Sequence, residues 1–171
     1  RGFAILLRPT GVATFEFPHL VSLMREAQFD TIYHEHFSYL SLTAVARIFK
    51  ANGLEVFDVQ QIPVHGGSLR VFAQRQGEGR QPVSDSVSKL LAAEEAFGLT
   101  RLATYDGFQA RAEKIKYDLL AFLLKARADG KAVAAYGAAA KGNTLMNFAG
   151  LRGDLVKYVV DRNPSKQGKF M

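Results

Sequence analysis

The most restrictive feature of this chain is a strand–turn–helix–strand pattern near its C-terminal end. Val133 to Tyr136 is a short apolar, β-prone run, and Gly137 to Asn143 (GAAAKGN) is a turn of small residues. Thr144 to Phe148 then starts a helical pattern, and a second apolar run, Val156 to Val160, closes on Asp161. Two strands joined through a helix cannot return by a tight hairpin, so they pair side by side in the same direction. The chain is therefore predicted to be α/β, with a parallel sheet at this end.

The rest of the sequence is unlike this unit. An apolar helical opening (Phe3, Leu6, Leu7) is stopped by Pro9 and Gly11. Val12 to Phe17 reads as a strand closed by Pro18, and His19 to Ala27 as a short helix with Leu20, Leu23 and Met24 on one side. Tyr33 to Ser41 has no period and reads as a loop. Ser41 can cap a helix whose buried stripe is Leu42, Val45, Ile48 and Phe49, stopped by Asn52-Gly53. Leu54 to Ile62 alternates imperfectly, with Leu54 and Val56 on one face and Phe57 and Val59 on the other. Ser68 to Gln74 follows Gly66-Gly67, so the pair is predicted to be a β-hairpin. GEGRQP at 77–82 reads as a linker, dividing the chain into 1–76 and 83–171. Beyond it, Val83 to Phe97 is helical. Thr100 or Thr104 starts a long helix carrying Phe108, Ala112, Ile115, Leu119, Phe122 and Leu123, ended by Gly130.

Composition excludes several classes. Cysteine is absent, so neither a disulfide framework nor a thiolate site can form. The 22 Lys and Arg against 16 Asp and Glu give +6, but the basic residues are scattered; Arg111, Lys114 and Lys116, for example, are interleaved with acids and apolar residues. No basic run or aromatic-rich basic ribbon appears, so nucleic acid is not expected as a partner and an anionic metabolite accounts for the charge. No apolar run reaches the roughly 20 residues of a membrane helix, and no signal peptide opens the chain. A soluble, cytoplasmic protein is expected.

Four segments could carry chemistry. Tyr33-His34-Glu35-His36 places two imidazoles beside a carboxylate and a phenol. A histidine titrates near neutrality and a carboxylate can orient it for proton abstraction, while Tyr33 could donate to an oxyanion. The same residues could instead form a hydrogen-bonded loop. A metal reading of His34 and His36 has no obvious third ligand, and no metal is expected. In Pro63 to Arg70 (PVHGGSLR), Gly66 and Gly67 permit close backbone approach, and His65, Ser68 and Arg70 supply donors. A hairpin turn with positive φ explains the glycines equally. GAAAKGN opens a helix whose N–H groups attract phosphate, with Lys141 adding charge, although it is neither a P-loop nor GxGxxG. Asp161 stands at the end of the following strand, where an acid can meet a ribose hydroxyl. The polar segment 161–169 reads as a strand-end loop with basic residues facing an anion, or as a solvated surface.

Taken together and in this order, FDTIYHEHFSYLSL, PVHGGSLRV, YGAAAKGNTLMN and VVDRNPSKQGK closely resemble the sugar C-methyltransferase family. These S-adenosylmethionine-dependent enzymes methylate a carbon of nucleotide-linked keto-deoxysugars. The resemblance implies that 1–76 is the end of a methyltransferase Rossmann domain with the YHEH loop. It likewise implies that 83–171 is a Rossmann-like nucleotide-sugar domain, truncated at its end. The S-adenosylmethionine loop and a cysteine-rich zinc region belong to upstream parts of the family's chains, so the piece in hand is expected to be inactive alone. By the same resemblance His36 is the base, with Tyr33 and Glu35 positioning it. Gly137, Ala138, Lys141, Asn143 and Asp161 become candidate contacts to the nucleotide diphosphate, and His65 and Ser68 candidates near the sugar. A non-catalytic nucleotide-binding module is the alternative reading; monomer and homodimer stay open.

Overall fold

A computed structural model describes residues 1–170. The fold is α/β, and the chain divides into two compact units. The first comprises residues 1–28 and 38–106; the second comprises 29–37 and everything from Gly107 onward.

In the first unit the elements are α1 (Gly2–Leu6), β1 (Val12–Pro18), α2 (Leu20–Arg25), α3 (Leu42–Ala51), β2 (Leu54–Ile62), β3 (Ser68–Arg75) and α4 (Asp85–Phe97). The hairpin forms as predicted, and β3 is central, antiparallel to both flanking strands in the order β1-β3-β2. Consequently β1 and β2 run in the same direction. Pro18 and Ile62 both pair with Ser68, so the carboxyl ends of β1 and β2 meet at the start of β3.

The core lies between this sheet and two helices. Leu42 and Val45 of α3, Val56 and Val59 of β2, Leu69 and Val71 of β3, and Val87 and Leu90 of α4 form one buried cluster. Full burial of one such side chain stabilises by about 1.5–3 kcal/mol. α3 forms here because its stripe faces that cluster and because the Ser41 hydroxyl accepts from the Ala44 N–H at 3.1 Å. Ile48, expected in the stripe, is 51% exposed. The buried face of α3 runs through Leu42, Val45 and Phe49, and the helix period turns Ile48 away from it. Val59 also departs from expectation. A β-bulge between Val56 and Asp58 inserts Phe57, so Val59 returns to the face of Leu54 and Val56 and is buried.

The segment 77–82 is not where the compact units divide. The buried Gln74 side chain accepts from Gln81 N–H and donates to the Gln81 carbonyl, pinning the segment to β3. α4 then packs on β2 and α3, which keeps residues up to Asp106 in the first unit.

The second unit contains α5 (Phe108–Ala128), β4 (Ala135–Tyr136), α6 (Ala140–Ala149) and β5 (Val159–Val160). β4 and β5 pair in parallel across α6, as the pattern required. α6 starts earlier than predicted: Ala140, Lys141 and Asn143 lie inside its first turn, because Ala140 and Lys141 favour a helix and the single Gly142 costs only about 1 kcal/mol once Gly137 has turned the chain at φ +99°. Residues 29–37 join this unit through Phe29, whose ring packs against Phe148 of α6 at 4.9 Å between centroids. Lys116 of α5 places its ammonium over the same Phe148 ring at 5.3 Å.

Candidate active site

Within the second unit, the YHEH turn is organised around His36. Its Nδ1 lies 2.8 Å from the Thr31 carbonyl oxygen and its Nε2 lies 3.1 Å from the Tyr33 hydroxyl. A carbonyl oxygen only accepts, so Nδ1 carries the proton and donates to it. In the neutral ring Nε2 is then a bare lone pair, accepting from Tyr33. The His36 N–H also bonds the Tyr33 carbonyl at 2.9 Å, which folds the turn and brings the two rings to 4.2 Å. Thr31 is buried, whereas His36 and Tyr33 are half-buried and His34 and Glu35 are exposed. The buried backbone of Thr31 thus sets the tautomer of a partly accessible imidazole. The Thr31 hydroxyl also lies 3.3 Å from Nδ1; sequence reasoning missed Thr31, since its shorter contact is through a carbonyl that every residue possesses.

The nucleotide-contact candidates occupy the same unit but differ in availability. An open cleft of about 1150 Å³ is lined by Ala138, Asn143, Asp161, Lys166 and Lys169, among others. Gly137 and Lys141 do not line it: Gly137 donates to the Val160 carbonyl at 2.7 Å in the strand ladder, and Lys141 is half-buried on the first turn of α6. Asp161 accepts from Asn163 N–H and from Ala138 N–H, each at 2.8 Å. These two donors, followed by the nearby Lys166 charge, hold its carboxyl below the usual carboxylate range against the opposing effect of burial. Lys166 also donates to the Ala138 carbonyl, so a cation that the motif reading did not single out ties the strand-end loop to the GAAAKG turn.

His65 and Ser68 belong to the first unit, in the turn between β2 and β3. His65 is exposed and Ser68 is buried, its hydroxyl donating to the Val64 carbonyl at 3.1 Å. Beneath this sheet lies a polar network absent from the sequence-based reading. Glu94 of α4 is 1% exposed and accepts from His19 Nε2 (2.9 Å), Leu42 N–H (2.7 Å), Thr43 N–H (2.7 Å) and the Thr43 hydroxyl (2.6 Å). Burial pushes its carboxyl up, but the donors from His19, Thr43 and Leu42 outweigh that and leave it below the ordinary range.

Residues 63–171 match the family model described as the C-methyltransferase C-terminal domain. The chain is also 39% identical, over 170 residues, to C-methyltransferase NovU of Streptomyces niveus. The chain belongs to the C-methyltransferase family. The alignment covers 99% of this chain and 40% of the NovU protein, so the chain spans less than half the length of that relative. The family match begins at residue 63, in the turn that carries His65, and includes the whole βαβ region.

Among the described residues no group of three or more His, Cys, Asp or Glu side chains is arranged to hold a metal ion. No helix of the described residues is long and apolar enough to cross a membrane.

Proposed function

We propose that this C-methyltransferase chain carries the catalytic base, and holds the acceptor, of an S-adenosylmethionine-dependent enzyme acting on a nucleotide-linked keto-deoxysugar. The observation that carries the reading is the fixed tautomer of His36: Nδ1–H bonded to the Thr31 carbonyl, and a lone pair at Nε2 facing the Tyr33 hydroxyl. A carbon acid next to a carbonyl needs a neutral base and a donor for the oxygen that gains charge. His36 Nε2 takes the proton from the carbon. Tyr33, swinging its O–H from Nε2 to the substrate carbonyl, stabilises the enolate. As the ring becomes an imidazolium, the Thr31 carbonyl keeps its bond to Nδ1–H, so no reorientation is needed. Glu35, in the same turn, favours the charge that forms. S-adenosylmethionine is the co-substrate that supplies the methyl group, and none of the described residues is assigned to it.

The acceptor's nucleotide diphosphate is assigned to the cleft of the second unit. Ala138 and Asn143 line it and Asp161 shapes its floor through Ala138 and Asn163, with Gly137 and Lys141 supporting the turn from behind. His65 is assigned to the sugar, and Ser68 holds its turn. In the complete protein, His36→Asn is expected to abolish methyl transfer while leaving binding of thymidine diphosphate unchanged. Wild-type turnover by that variant would remove His36 as the base.

A further inference from the structure

The second unit holds another cavity, lined by none of the residues given a role above. β4 and β5 run parallel; Ala138 and Asp161 of the nucleotide cleft follow them, whereas Val133 and Lys157 precede them. The cavity lies at this entry end, and its volume of about 410 Å³ is of the size that holds small organic ligands. Its lining combines three cations, Arg127, Lys131 and Lys157, with one acid, Asp154, and the apolar Leu123, Val133 and Leu155. Arg127 neutralises the acid: its guanidinium donates to the Asp154 backbone carbonyl at 2.7 Å and lies 3.4 Å from the carboxylate. Asp129, two residues before Lys131, is paired with Lys125 at 2.8 Å. Among the described residues no carboxylate pairs with Lys131 or Lys157, so both ammonium charges are left to the cavity.

Both lysines project from fixed backbone. Gly130, at φ +70°, turns the chain out of α5 so that Lys131 N–H bonds the Ala126 carbonyl at 2.9 Å, and Lys157 N–H bonds the Val133 carbonyl at 3.2 Å. The end carbonyls of α5, which would repel an anion, are occupied: those of Lys125, Ala126 and Arg127 accept from the N–H groups of Asp129, Lys131 and Gly130. Two ammonium charges match the dianion of a phosphate monoester, and the Arg127 fork has further N–H donors for its oxygens. Leu123, Val133 and Leu155 offer the organic remainder an apolar wall. We propose that this cavity is a second anion site, which takes the phosphate group of a small phosphorylated organic molecule.

The test is calorimetric titration of the complete protein with phenyl phosphate at about pH 8, where the phosphate is a dianion. Lys157 also borders the nucleotide cleft, so Lys131, which does not, is the residue to change. One equivalent should bind, with the same affinity whether or not thymidine diphosphate is present. Lys131→Glu should weaken binding at least about tenfold, the equivalent of one charge-assisted hydrogen bond. Lys131 is exposed, so the thermal midpoint of that variant should equal the wild type's. Lys114→Glu makes the same charge change about 20 Å along α5 from Arg127 and should leave binding intact. Inorganic phosphate, lacking the apolar part, should bind about tenfold more weakly than phenyl phosphate. Absence of phenyl phosphate binding, its displacement by thymidine diphosphate, or equal losses in the two variants would overturn the proposal. Equal affinity for the two phosphates would overturn the organic part of the assignment.

Discussion

Replacing Glu94 by glutamine keeps the shape of the side chain and removes its charge beneath the sheet of the first unit. Four donors converge on this carboxylate, two of them the backbone N–H groups of Leu42 and Thr43 at the start of α3. Hydrogen bonds to a buried charged group are worth about 1.5–3 kcal/mol each. The amide retains one acceptor oxygen but turns an NH₂ group toward donors, so a loss of about 3 kcal/mol is expected at about pH 7. For a chain of this size that lowers the thermal midpoint by about 6–12 °C. The chain contains no tryptophan, so unfolding is best followed by far-ultraviolet circular dichroism in urea. The pH dependence follows from linkage. The folded carboxyl sits below its ordinary value of 4.5, so its stabilisation is complete above that value and is lost as the pH falls through the lower folded value. The gap between wild type and Glu94→Gln should therefore be full at about pH 7 and shrink below about pH 4.5, where protonated Glu94 resembles glutamine. A gap under about 1 kcal/mol at neutral pH, or one that does not change on acidification, would refute the assignment of a charged, donor-saturated Glu94.

Two further outcomes are expected. Leu69→Ala empties a fully buried position at the centre of the sheet and should cost about 2–5 kcal/mol in denaturant unfolding; a cost below about 1 kcal/mol would mean the site collapses around the void. Tyr33→Phe removes the O–H that faces His36 Nε2, and in the complete protein should lower kcat by about 10²-fold with little change in unfolding free energy; an unchanged kcat would take the donor role from Tyr33.

The local features of this chain are legible in its residue order. The parallel β4–α6–β5 unit follows from apolar runs separated by a helix, and the hairpin from two β-prone runs around Gly66-Gly67. Ser41 as the cap of α3, with Asn52-Gly53 as its stop, needs only residue types at the right spacing. These depend on near neighbours, where side-chain identity decides backbone preference. Errors begin where one inserted residue changes the count. The bulge at Phe57 inverts the face assigned to Val59, and the polar run 77–82 reads as a linker because nothing local reveals that Gln74 grips it.

The residue types of the candidate site are likewise written in the chain: Tyr33, Glu35 and His36 in one turn, and His65 beside two glycines. Tertiary structure alone decides what they can do. The Thr31 carbonyl sets the His36 tautomer, the Phe29–Phe148 contact brings that turn into the second unit, and Gln28 donates to the Gly66 carbonyl beside His65. His19 and Glu94, 75 positions apart in sequence, form a buried hydrogen-bonded pair, and the Glu94 charge is sustained by the first turn of α3. The physical reason is common to these cases. A backbone carbonyl carries no residue identity, and burial, which makes a hydrogen bond or a charge decisive, arises only when distant segments exclude water together.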